Sequence, residues 1–126
     1  MPHIRAAEAP VFTLHGLDFH GLTAPSRGTL ELCTWRLCVA PNYSAGEAHR
    51  LNREEVFIGL NGQLEIRVNG VIETLPPGDA ITVPAGAQLQ IANPSGAEAQ
   101  ALVCIAAGFT AVMADGQVVG TPPWAQ

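Results

Sequence analysis

The chain has 126 residues, 48% apolar and only 13% charged, and carries a net charge of −5. A length like this suits one domain with one core, burying roughly two-thirds of the surface exposed by the unfolded chain. All six basic residues are scattered arginines, which leaves no stripe to displace counterions from nucleic acid, no polybasic patch for anionic lipid and no lysine for Schiff-base chemistry.

Residues 1–28 are the least regular part and are expected to form an N-terminal arm, with residues 29–126 as the barrel of a single domain. Within the arm, Val11 to Leu14 and Asp18 to Leu22 are predicted short strands, interrupted by Gly16 and Gly21 and closed by Pro25. The longest predicted strand is Leu30 to Ala40. One of its faces carries Leu30, Leu32, Thr34, Arg36 and Cys38, the other Cys33, Trp35, Leu37 and Val39. Both faces are largely apolar, so the strand is expected to be covered on both sides.

Asn61-Gly62 and Asn69-Gly70 each stand between apolar runs, and Asn-Gly is the pair best suited to positive φ at both centres of a tight hairpin. Two hairpins are therefore predicted. Between them, residues 63–69 alternate, with Leu64, Ile66 and Val68 inward and Gln63, Glu65 and Arg67 toward water, as in a sheet with one wet face. Pro76-Pro77-Gly78 stops a strand at Val71 to Leu75, Pro84-Ala85-Gly86 stops one at Ala80 to Val83, and Asn93-Pro94-Ser95-Gly96 stops one at Gln88 to Ala92.

The longest apolar run, Ala101 to Ala107, is far shorter than the ~20 residues of a membrane helix. No leader pattern opens the chain, and a cytoplasmic protein without membrane contact is expected. Asp115-Gly116 marks a last turn. The tail Thr121-Pro122-Pro123-Trp124 cannot continue a central strand, since proline donates no ladder hydrogen bond, so Trp124 is expected to pack over a barrel edge. Cys33, Cys38 and Cys104 are odd in number, lack metal-ligand spacing and sit in apolar surroundings, as free thiols do. Many short strands with tight turns and no room for long helices make the fold all-β, a sandwich or jelly-roll barrel.

Two strings then resemble the paired motifs of the cupin superfamily. SAGEAHRLNREEVFIGLNG has Gly46, His49, Leu51, Glu55 and Gly62 where the first motif has glycine, two histidines one residue apart, glutamate and glycine. GDAITVPAGAQLQIAN has Gly78, Pro84, Gly86, Leu89 and Asn93 where the second has glycine, Pro-x-Gly, histidine and asparagine. The resemblance implies a cupin-type jelly roll, a double-stranded β-helix, in which the two histidines, the glutamate and the second-motif histidine converge on one metal. Leucines at 51 and 89 remove two of those four ligands. With composition, the resemblance also implies a homodimer.

His49 and Glu55 share strand parity, so both can point inward. A zinc or iron site normally takes at least three protein ligands, so no metal and no cofactor is expected unless Glu47 or one of His3, His15 and His20 is recruited. One reading is a divalent-metal enzyme whose site such a recruited ligand completes, and three metal-free readings stay open beside it. The barrel binds a small, largely apolar organic molecule, with His49, Glu55 and Arg50 as polar contacts and Leu51, Phe57, Leu89 and Trp35 as wall. Alternatively His49 and Glu55 form the acid-base pair of a metal-free isomerase, cyclase or dehydratase, the carboxylate raising the histidine pKa. In the third, they satisfy each other, or Arg50 and Arg53, at a barrel mouth.

Overall fold

A computed structural model describes every residue, Met1–Gln126. Twelve strands follow in chain order: β1 (Val11–Leu14), β2 (Leu17–Thr23), β3 (Leu32–Val39), β4 (His49–Leu51), β5 (Glu55–Asn61), β6 (Leu64–Val68), β7 (Val71–Leu75), β8 (Ala80–Val83), β9 (Leu89–Ala92), β10 (Ala99–Ala106), β11 (Ala111–Met113) and β12 (Val118–Gly120). They form two six-stranded sheets, β1-β2-β3-β10-β5-β8 and β12-β11-β4-β9-β6-β7. Every pairing is antiparallel. The only helical pieces are three-residue turns, and no helix is long and apolar enough to cross a membrane.

Strand periodicity explains the layers, because alternate side chains of each strand face the space between the sheets. Along β10, Ala99, Ala101, Val103 and Ile105 are buried, while their neighbours are half-buried on the outer face. The same alternation buries Leu64 and Ile66 of β6 and leaves Glu65 and Arg67 outside, where they form an ion pair at 3.2 Å. In β3 the inner residues Cys33, Trp35, Leu37 and Val39 are buried, but on the other face Leu32 is exposed and Thr34 and Arg36 are half-buried. The expectation of cover on both sides is therefore corrected: apart from Cys38, buried beside the Arg36 guanidinium that donates to its Sγ at 3.3 Å, the outer face of β3 is not buried. Residues 1–28 supply β1 and β2 to that sheet, with β2 paired to β3 from Leu17↔Val39 onward.

The two Asn-Gly pairs behave differently. Asn69 and Gly70 take φ of 50° and 81°, and the turn joins β6 to β7 with Val68 opposite Val71. At Asn61-Gly62 only Gly62 has positive φ, 67°. No hairpin forms there, because both edges of β5 are already taken by β10 and β8, so the chain crosses to the other sheet before β6 begins. Asn61 Oδ1 instead accepts the Gly62 N–H at 2.9 Å.

Asn93 closes the second motif as a buried clamp. Its amide donates to the carbonyls of Ala97 (2.8 Å) and Ala40 (3.1 Å) and its Oδ1 accepts from the Ser95 hydroxyl (2.8 Å), tying β9 to the end of β3. The tail is equally fixed. Arg27 donates to the Trp124 carbonyl at 2.7 Å, and the Cys33 thiol reaches the Ala125 carbonyl at 3.4 Å. Trp124 lies flat on Phe19, ring centroids 3.7 Å apart and planes 10° from parallel. It thereby closes the barrel end as the prolines suggested. All three cysteines are free, Cys33 and Cys38 buried and Cys104 half-buried. Burial pushes the Cys33 and Cys38 thiols above the usual range.

Candidate functional site

Between the sheets lies a cavity of about 450 Å³, within the range of small-molecule sites. Its walls come from both layers: Phe19, Trp35, Leu37 and Phe57 from the first sheet, Leu51, Leu89 and Met113 from the second, and Phe109 and Trp124 from the segments that close one end. The four positions that the motif resemblance brings together, 49, 51, 55 and 89, all line it. His49 and Leu89 face each other directly across the β4–β9 pairing.

Glu55 stands at the start of β5, opposite Val83 and Ile105, and only 3% of its surface is exposed. Its Oε1 is sealed from water and has no hydrogen-bond partner. Burial alone pushes the carboxyl up to about 8, so the neutral acid is the form present at pH 7. His49 moves the other way. Burial lowers its pKa below 6.5, and no charge nearby opposes that shift.

The expectation that the carboxylate raises the histidine pKa is corrected, since no hydrogen bond or ion pair joins the two; the chain's one ion pair is Arg67–Glu65. The structure thus holds an uncharged base and an uncharged acid in one apolar space.

Arg50 is not a wall residue. It lies between His49 and Leu51 on β4, and strand alternation turns it out to solvent, where it is exposed and away from the cavity lining. Arg53 is exposed as well. Trp35, Leu51, Phe57 and Leu89 line the cavity together with His49 and Glu55.

Sequence reasoning missed Phe19, Leu37, Phe109, Met113 and Trp124 as wall residues. For Leu37 the signal was available, because it shares strand parity with Trp35. Trp124 carried no local signal, since the tail reaches Phe19 only through the tertiary fold.

A metal would need more donors than this pair. Glu47 and His15 do line the cavity, both on exposed parts of its wall, whereas His3 and His20 do not. No three His, Cys, Asp or Glu side chains come together closely enough to hold an ion. Leucine cannot donate an electron pair, so this donor set does not fit a metal centre.

The fold is shared with several solved structures. The polyketide cyclase RemF of Streptomyces resistomycificus superposes with a TM-score of 0.74 at 18% identity, covering 84% of this chain and 79% of that one. A sugar phosphate isomerase from a cupin superfamily, from Silicibacter pomeroyi, gives 0.68 at 22% identity, covering 80% and 67%. An RmlC-like cupin from Shewanella frigidimarina gives 0.69 at 18%, covering 82% and 87%. No curated protein matches the sequence. The family model described as a cupin domain matches residues 35–106, more than half of the chain and the whole of both motifs, and the chain belongs to the cupin family.

Proposed function

We propose that the barrel binds a small, largely apolar organic molecule and moves a proton on it without a metal, as an isomerase, cyclase or dehydratase would. One observation carries this: two unpaired titratable groups share an apolar cavity, and burial drives their pKa values in opposite useful directions. Glu55 keeps its proton and His49 stays free of one. Such a split assigns the acid and the base.

For a ketone substrate, a neutral His49 nitrogen takes a proton from the carbon beside the carbonyl while the Glu55 O–H gives its proton to the carbonyl oxygen. The product is an enol, with imidazolium and carboxylate left behind. Reprotonation at another carbon, or attack by the enol carbon on a second carbonyl, returns both groups to their starting forms. The largely apolar wall favours charge-neutral starting states.

Likeness to the named structures speaks for fold and not activity. Of the activities in their names, the apolar cavity suits a cyclase better than an enzyme for sugar phosphates, because no arginine lines it and the chain has no lysine to meet a phosphate.

Deuterium exchange at the α carbons of 2-tetralone, followed by NMR in D2O, tests the chemistry. Protein-dependent exchange is expected, lowered about a hundred-fold by His49→Ala and by Glu55→Gln, within the usual range for one acid or base. Equal exchange in wild type and both variants would leave a binding protein without catalysis.

A further inference from the structure

We infer that the cavity selects a neutral, planar, conjugated molecule with a carbonyl oxygen at its deep end, and rejects charged molecules of the same shape. This deepens the proposed function and rests on the cavity being a binding site, though not on any reaction taking place there.

The distribution of rings is the first support. Of the chain's two tryptophans, one tyrosine and four phenylalanines, every one lines the cavity except Phe12, which packs against Trp124 at 6.4 Å. In a chain only 6% aromatic, the rings are thus gathered at the cavity, where they share the wall with aliphatic residues such as Leu37, Leu51 and Leu89, while the closed core around Leu64, Ile66, Leu75, Val103 and Ile105 holds none of them.

The rings are also mutually oriented, Phe19 flat on Trp124, Trp35 tilted 29° to Phe109 at 6.1 Å, and Trp35 edge-on to Trp124 at 6.3 Å. Offset stacking and edge contacts of this kind are what a flat π-system meets with least loss.

Charge supplies the second support. The ionisable side chains on the wall are His15, Tyr43, Glu47, His49 and Glu55, with no arginine or lysine among them. A carboxylate or phosphate brought inside would lose its hydration with no cation in return, a cost of several kcal/mol.

A cation finds no preformed counter-charge at the deep end, because the Glu55 carboxyl, 3% exposed and among apolar side chains, is held as the neutral acid and would first have to give up its proton. In that form Glu55 is a hydrogen-bond donor. The group it lacks is an acceptor, and a carbonyl oxygen fits.

Fluorescence titration is direct, since both tryptophans lie on the wall. At pH 6.5 four probes are compared: 2-acetylnaphthalene, the anion 2-naphthoate, the cation 2-(aminomethyl)naphthalene and the saturated cyclohexyl methyl ketone. The expected order puts 2-acetylnaphthalene at least about ten-fold tighter than either charged probe, the factor that one desolvated charge supplies, and about ten-fold tighter than the saturated ketone, which keeps the hydrogen bond and loses the ring contacts.

Glu55→Gln still donates an N–H and keeps its affinity for 2-acetylnaphthalene within about three-fold, while Glu55→Leu weakens it about ten-fold. Either charged probe or the saturated ketone binding as tightly as the aromatic ketone overturns the inference. So does equal binding by the Leu variant, or no binding of any probe. Exchange on 2-tetralone that persists without the predicted preference removes this inference alone. The preference without exchange removes the catalytic proposal alone.

Discussion

At the scale of single residues, Glu55 is a costly side chain to bury and the most informative one. A lone carboxyl with an unpartnered oxygen is a net loss to the fold, and its titration should show directly in stability. The unfolded carboxyl titrates near 4.5 and the folded one near 8, so the native state holds a proton that the unfolded state has lost, and stability falls as pH rises through this window.

His49 acts with the opposite sign. Its folded pKa lies below the unfolded 6.5, so its contribution is present above pH 6.5 and lost as pH falls toward the folded value. The two slopes oppose each other below 6.5, and between 6.5 and 8 Glu55 alone of the pair is left. The urea midpoint should therefore fall across pH 6.5 to 8, at up to about 1.4 kcal/mol per unit, with the Glu55 contribution levelling off above. Glu55→Gln should flatten that stretch and raise stability at pH 8. A wild-type profile already flat there would mean that the carboxyl finds a partner in solution.

At the scale of elements, the motif glycines and prolines mark real strand ends, but they say nothing about which strand lies beside which. The turns at Pro76-Pro77-Gly78 and Pro84-Ala85-Gly86 were legible because their chemistry is local. Asn61-Gly62 misled because the same dipeptide can turn a hairpin or simply let a strand leave its sheet, and the choice is made by β8 and β10 occupying both edges of β5.

Arg50 teaches the converse lesson. Two-residue alternation alone turns it outward once His49 and Leu51 face inward, so this part of the site is legible in the sequence.

Close packing between elements is read most sharply at Gly59. A Cβ there would lie 2.2 Å from the Pro76 carbonyl oxygen. The same glycine donates its N–H to Asp79 O and accepts from Gly78 N–H, both at 2.9 Å. β5 and the β7–β8 turn are thus joined with no room for a methyl group. Gly59→Ala should cost at least about 3 kcal/mol, lowering Tm by roughly 10 °C for a domain of this size. Leu60→Ala, at the exposed neighbouring position, should change Tm by little more than 1 °C. Equal effects at 59 and 60 would mean that the turn can slide away from β5.

For the whole molecule, the barrel and its motif positions were legible because cupin spacing encodes where strands end. The cavity's aromatic character was not, because Phe19, Trp35, Phe109 and Trp124 come from four separated segments and meet only in three dimensions. What the fold does guarantee is convergence: positions 49, 51, 55 and 89 line one cavity although they belong to three strands in two sheets.

That guarantee can be tested by reversing the two leucine substitutions. Leu51→His with Leu89→His places three imidazoles and a carboxylate on the wall, a donor set that suits zinc or nickel. The double variant, purified without a histidine tag, should take up one divalent ion per chain by elemental analysis. At a hundred times its Kd, free metal should stabilise the fold by about 2.7 kcal/mol. Metal binding should also pull the Glu55 carboxyl down from about 8, since a cation favours the ionised form, so the fall in stability across pH 6.5 to 8 should disappear with metal and return on chelation.

Wild type should melt at the same temperature with and without chelator, because His49 and Glu55 bring no third donor within reach. A chelator-sensitive wild type would show that His15 or Glu47 swings in from the wall to complete a site. A double variant that folds but takes up no metal would show that shared lining is not convergence, and that the leucines entered a barrel whose geometry had already moved away from metal binding.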